Sequence, residues 1–126
     1  MISRSRLYDI SLVLLGVVAL VTKRHINFGI VQSYGGNIAA SFSAFFLLKL
    51  PFLPTKVQAA AAAALALLAT ELFEATNGFG FMSNTYDPAD YLANATGVAL
   101  AATVNTALQL ATRPRKRSND SLSTYK

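Results

Sequence analysis

The 126-residue chain contains no cysteine and only one histidine, His25. Disulfides, thiolate metal sites and cysteine nucleophiles are therefore excluded. His25 stands in a Lys-Arg-His run suited to lipid headgroups, and no serine has a visible base partner, so the chain does not read as an enzyme. Charge is scarce too: 13% of residues are charged, about half the usual share of a soluble domain, while 53% are apolar. The charges gather at 1–9, 23–25, 49–56, 71–90 and 113–126. A soluble helical protein spreads charge along the outer face of every helix, and a single short domain has too little interior to hide this much apolar side chain. The expected class is an all-α polytopic membrane protein, a bundle of four transmembrane helices.

The net charge of +5 and a pI near 9.8 raise nucleic acid as a partner. Most of the excess sits in Arg113-Pro114-Arg115-Lys116-Arg117, directly after an apolar run, where basic residues set topology and meet anionic headgroups. Aromatics are not interleaved with them, so no nucleic acid is expected and membrane lipids are. Arg4 and Arg6 before an apolar run resemble the start of a signal peptide. That run ends in Thr22-Lys23-Arg24-His25 without a small-x-small cleavage pattern, so it is read as a membrane helix.

The apolar segments predict helices at about 7–22, 26–50, 57–75 and 88–112, forming one transmembrane domain over 1–112. The first is short for a span, but flanking Arg and Lys can snorkel. In the second, the Gly35-Gly36 pair weakens the helix. Gln32, Gly36, Ala39, Ala40 and Ser43 there share one face, a small-residue packing seam. Pro51 and Pro54 end this helix, and Thr55 is the expected N-cap of the third. The alanine block 59–64 is only weakly hydrophobic, so its helix is expected to be buried among its neighbours. Gly78, Gly80, Asn77 and Asn84 mark a turn-rich loop, with Phe79, Phe81, Met82 and Tyr86 at headgroup depth. Asp87-Pro88-Ala89-Asp90 opens the fourth helix, with Asp87 at the N-cap and Pro88 at N1. The basic tail 113–126 is polar enough to be disordered.

Four spans place both termini on one side, together with the 49–56 turn. Nine basic residues lie there (Arg4, Arg6, Lys49, Lys56, Arg113, Arg115, Lys116, Arg117, Lys126), against Lys23 and Arg24 opposite. The positive-inside rule then makes both termini cytoplasmic, in an inner (plasma) membrane, and turns the acidic stretch outward.

That stretch, 70–97, holds four of the six acidic residues and no Lys or Arg. Asp87 and Asp90 suit the positive end of a helix dipole and read as caps. Glu71 and Glu74 share a face at the end of the third helix, the wrong end for negative charge. Either they are hydrated at the surface or desolvation keeps at least one protonated. Asp90 continues into a stripe of Asn94, Gly97, Ala101 and Asn105, and amides at that depth need partners inside the bundle. Gln32, Asn37 and Glu71 are the natural ones. The candidate polar cluster is thus Glu71, Glu74, Asp87, Asp90, Asn94 and Asn37. No EF-hand loop is present, so no metal is expected, and no nucleotide fingerprint, so no cofactor.

Thr70-Glu71-Leu72-Phe73-Glu74 and Asp90-Tyr91-Leu92-Ala93-Asn94-Ala95-Thr96-Gly97 resemble the paired motifs of the VanZ-like family of small membrane proteins, over about 57–112. The family's motif carries Gln where Glu74 stands, and no Lys-x-x-His element opens the second helix. The resemblance implies a bacterial inner-membrane protein without an agreed enzymatic activity, with Glu71, Asp90, Asn94 and Gly97 at the matching positions. Two functional expectations follow. One is a non-enzymatic membrane protein binding a lipid or amphiphilic ligand at the acidic outer-face cluster. The other is a structural accessory subunit packed against partner membrane subunits.

Overall fold

In a computed structural model, residues 3–22, 25, 29–49, 53–80 and 87–114 are described. They form four helices: α1 (Arg4–Thr22), α2 (Gly29–Leu47), α3 (Thr55–Ala75) and α4 (Pro88–Thr112). The fourth matches expectation at both ends, because Asp87 accepts from the Ala89 N–H at 2.9 Å and Pro88 needs no hydrogen-bond partner at N1. The first begins three residues earlier than expected. The second runs unbroken through Gly35-Gly36 and stops at Leu47, before the expected end, with Leu48 and Lys49 outside the helix. Thr55 is not the N-cap of α3: it is the first helical residue, and Pro54 occupies the cap with no side-chain hydrogen bond. Expectations for residues 81–86, for the tail from 115 onward and for the Gln32 side chain lie outside the described residues.

Helix α2 is the hub. It packs against α1, α3 and α4, whereas α3 also meets α4 and α1 meets α2 alone. Phe42, Phe45 and Phe46 of α2 supply the bulk of the core, against Ala62 and Ala66 of α3 and Val98 and Ala101 of α4. Phe45 and Phe46 meet edge to face, 5.0 Å between ring centres, which aligns the positive edge of one ring with the negative face of the other. The alanine block is not wholly buried, contrary to expectation. Ala62 and Ala66 are fully enclosed, while Ala60, Ala64 and Ala69 are exposed, because α3 lies at the edge of the bundle with neighbours on one side. Ala40 likewise departs from the seam: Gly36 and Ala39 are buried and Ser43 half-buried, but Ala40 is exposed.

Two close crossings set the geometry. A Cβ placed on Gly97 of α4 would collide with Ser41 Oγ and the Ile38 carbonyl oxygen of α2, and would lie 3.0 Å from Ile38 Cα. A Cβ on Gly16 of α1 would collide with Ser43 Oγ and sit 3.2 Å from the Ala39 carbonyl oxygen. Both glycines thus let backbones approach where any side chain would separate them. The pairing residues also give direction. Tyr34 meets Asp87, Asn37 meets Asp90 and Ser41 meets Gly97, so α2 and α4 run parallel. Asp9, near the start of α1, pairs with Lys49 just past the end of α2, so α1 is antiparallel to them.

The end of α3 is closed by a Schellman turn. Asn77 N–H donates to the Glu74 carbonyl at 3.2 Å and Gly78 N–H to the Phe73 carbonyl at 2.7 Å. Asn77, Gly78, Phe79 and Gly80 all have positive φ (51°, 62°, 56° and 87°). Glycine and asparagine tolerate that region; phenylalanine does so only under constraint. Here the Phe79 N–H is tied to Thr76 Oγ1 at 3.1 Å, and its ring stands edge-on to Phe73 at 5.9 Å.

By length and composition, α1 and the Val57–Ala75 part of α3 are apolar enough to cross a membrane. The polar and small residues of α2 and α4 dilute those helices.

Gly97→Ala is expected to destabilise the fold by about 1–3 kcal/mol, since it meets backbone that cannot turn aside. Gly16→Ala should cost less, because the flexible Ser43 hydroxyl can rotate away; equilibrium unfolding of the two variants checks the order. Asn77→Ala is expected to cost about 1 kcal/mol and Asn77→Gly almost nothing, read from the same unfolding curves.

Candidate functional site

The start of α2, the end of α3 and the start of α4 come together at one end of the bundle, and with them the acidic residues. Asn37 Nδ2 donates to Asp90 Oδ1 at 2.8 Å, and Tyr34 Oη donates to Asp87 Oδ2 at 3.1 Å. The two acceptors lie one helical turn apart on α4, and the two donors one turn apart on α2, so the pairs stack along the parallel crossing. Asp87 serves two roles, accepting the Ala89 N–H through Oδ1 and Tyr34 through Oδ2. Asp90 was expected to be a cap and is not. Its side chain reaches across to α2, and only its backbone N–H takes part in the first turn, donating to the Asp87 carbonyl at 3.1 Å. A hydrogen bond to a charged acceptor contributes about 1.5–3 kcal/mol, enough to make Asn37–Asp90 a fastening of the two helices.

Glu71 and Glu74 flank this pairing from α3, both half-buried, and Glu74 lies within electrostatic reach of Asp90. The four carboxylates thus share one neighbourhood, yet among the described residues no three acidic or histidine side chains form a group able to hold a metal ion. Glu71 Oε2 and Asn94 Nδ2 are both shut off from solvent and have no hydrogen-bond partner among the described residues. Asn94 is 2% exposed, as its place on the stripe implied, and Gly97, Ala101 and Asn105 are buried with it. Of the partners expected for Asn94, neither Asn37 nor Glu71 accepts from its amide nitrogen: Asn37 turns its own Nδ2 to Asp90, and Glu71 Oε2 stays unpartnered. An unpartnered buried acceptor and an unpartnered buried donor each cost about 1–3 kcal/mol, a cost that a bound hydroxyl, amide or ammonium group would relieve.

Tyr34 belongs to the cluster, and the sequence carried a signal for it: it stands at i−3 to Asn37, mirroring the Asp87–Asp90 spacing. At the opposite end of the bundle, Lys49 Nζ meets Asp9 Oδ1 at 2.9 Å, with side chains 9% and 21% exposed. The clue to that pair is an aspartate inside the apolar opening helix, which needs a basic partner at its own depth.

A double-mutant cycle on Asn37→Ala and Asp90→Ala, followed by equilibrium unfolding, is expected to give a coupling of about 1 kcal/mol or more. Additive single losses would show that the pair does not fasten the helices.

No protein-family model matches the chain, and no match is found among curated proteins or solved structures.

Proposed function

We propose that the chain is a four-helix integral membrane protein of a bacterial inner membrane, with cytoplasmic termini, that holds an amphiphilic ligand at its acidic end without chemical turnover. The bilayer as solvent is supported by where the large apolar side chains lie. Leu7, Leu14, Leu15, Val18 and Val21 of α1, Leu68 and Leu72 of α3, and Leu92, Leu100 and Leu110 of α4 all face outward. Apart from Phe42, Phe45, Phe46 and Val98, the buried set is small or polar, among it Gly16, Gly97, Ala62, Ala101, Ser41, Asn94 and Asn105. That is the reverse of a water-soluble bundle and agrees with helices that associate through small residues in lipid.

Hydroxyl groups tell the same story. Outward Ser11, Thr22, Thr96, Thr103, Thr106 and Thr112 each donate to the carbonyl four residues back at 2.8–2.9 Å, so none needs water. Part of the polar content of α2 and α4 fits the same reading, because Tyr34 and Asn37 are turned to Asp87 and Asp90 across the contact.

The ligand reading is carried by one observation, the buried and unpartnered Glu71 Oε2 and Asn94 Nδ2 beside a paired acidic cluster. These two residues, with Asp90 and Gly97, are also the positions that resemble the VanZ-like motifs.

The expected result is that the expressed chain stays with membranes through alkaline carbonate extraction; a freely soluble monomer would overturn the bilayer reading. Glu71→Gln and Asn94→Leu should keep the helical content and lose a co-purifying amphiphile seen by native mass spectrometry. Unchanged retention by both would remove the site. Co-migration of the wild-type chain with a larger complex at fixed stoichiometry would favour the accessory-subunit reading, for which the outward apolar face of α1 supplies the surface.

A further inference from the structure

The other end of the bundle carries a second site, built from different residues. Because α1 approaches α2 alone, its first half stands apart from both α3 and α4. The gap toward α4 is a groove of about 480 Å³, and Asp9 and Lys49 lie at its base. Arg4 and Tyr8 form one wall, and Asn105, Leu108 and Thr112 the other. A wider groove of about 1100 Å³ continues on the α3 side, sharing Asp9, Lys49 and Gln109 and adding Arg6 with the apolar Ile10, Val13 and Leu14. Among the described residues the Asp9–Lys49 bond is the only ion pair, so the Lys49 charge is answered inside the protein and those of Arg4 and Arg6 are not.

Asn105 is 3% exposed, lines the smaller groove, and its Nδ2 has no hydrogen-bond partner among the described residues. A buried amide donor without an acceptor is costly unless a ligand oxygen reaches it. Arginine supplies the planar, multiply donating group that suits phosphate oxygens. The apolar flank of Ile10, Val13, Leu14 and Leu108 then suits hydrocarbon chains leaving the head. The aspartate in the groove does not oppose an anion strongly, because Lys49 already covers it at 2.9 Å.

We propose that these joined grooves bind a net-anionic phosphate group, with Arg4 taking its charge in the smaller groove, Arg6 adding positive potential from the wider one, and Asn105 Nδ2 donating to one of its oxygens. The headgroup of an anionic phospholipid and a soluble phosphate monoester present this same chemistry. The site is independent of the acidic end: none of its residues is shared with the Glu71–Asn94 cluster.

The test uses the full chain in mild detergent, with thermal unfolding and native mass spectrometry as readouts. The probes are phosphatidylglycerol, phosphatidylcholine and inorganic phosphate, added separately. Phosphatidylglycerol is expected to bind at least about tenfold more tightly than phosphatidylcholine, the scale of one charge-assisted contact. Arg4→Gln/Arg6→Gln and Asn105→Leu should each remove most of that preference. Arg113→Gln, a charge at the same end but outside the grooves, and Glu71→Gln at the far end should leave it intact. Protection by inorganic phosphate, and its competition with the lipid, would assign recognition to the phosphate alone; protection by the lipid only would assign it to the whole amphiphile. Equal binding of the two lipids, or a preference that survives both groove variants, overturns the proposal. A preference abolished equally by Arg113→Gln would also overturn it, because bulk charge would then suffice.

Discussion

The parallel crossing of α2 on α4 is the constraint from which the remaining geometry follows. Gly97 lies directly beneath Ser41 and the Ile38 backbone, so the two helices meet closer than any side chain would permit. That proximity brings Asn37 onto Asp90 and Tyr34 onto Asp87 one turn above, at hydrogen-bonding distance. It also holds the phenylalanine face of α2 against Val98 and Ala101. Polar pairing and backbone contact support each other. The hydrogen bonds orient the crossing, and the crossing half-buries them.

Polar groups in this molecule are handled in three ways. Those on the outer surface fold back onto their own helix, as the threonines of α4 do. Those at the α2–α4 contact find a partner across it. A third set, Glu71 Oε2, Asn94 Nδ2 and Asn105 Nδ2, is buried and unanswered by the protein. The third set falls at both ends of the bundle, not at its waist, where Phe45 and Ala101 leave no space. The two ends also differ in charge, acidic at the end of α3 and the start of α4 and basic where α1 begins.

Much of the architecture was legible beforehand. The start of α4 could be placed at Pro88 because Asp-Pro is a strong local signal whose chemistry is complete within four residues. The stripe Asn94, Gly97, Ala101 and Asn105 could be assigned to one buried face because helical periodicity is itself a local property. Thr55 does not cap although its residue type suits a cap, because the preceding Pro54 already takes the non-helical position. The burial of the alanine block was overestimated for a different reason: how many neighbours a helix has is a property of the bundle.

Composition, charge placement and periodicity alone determined four helices, their order, the acidic and basic ends, and which residues of α4 turn inward. Those features depend on each residue's own chemistry and on neighbours within a turn or two. Only the tertiary structure decided that Asn37 serves Asp90, that Asn94 Nδ2 finds no acceptor, that Asp9 answers Lys49 forty residues away, and that α1 stands off α4 to open a groove. The physical reason is that a hydrogen bond or ion pair between helices depends on their crossing and relative height. Several donors along one chain can satisfy the same acceptor until packing selects one.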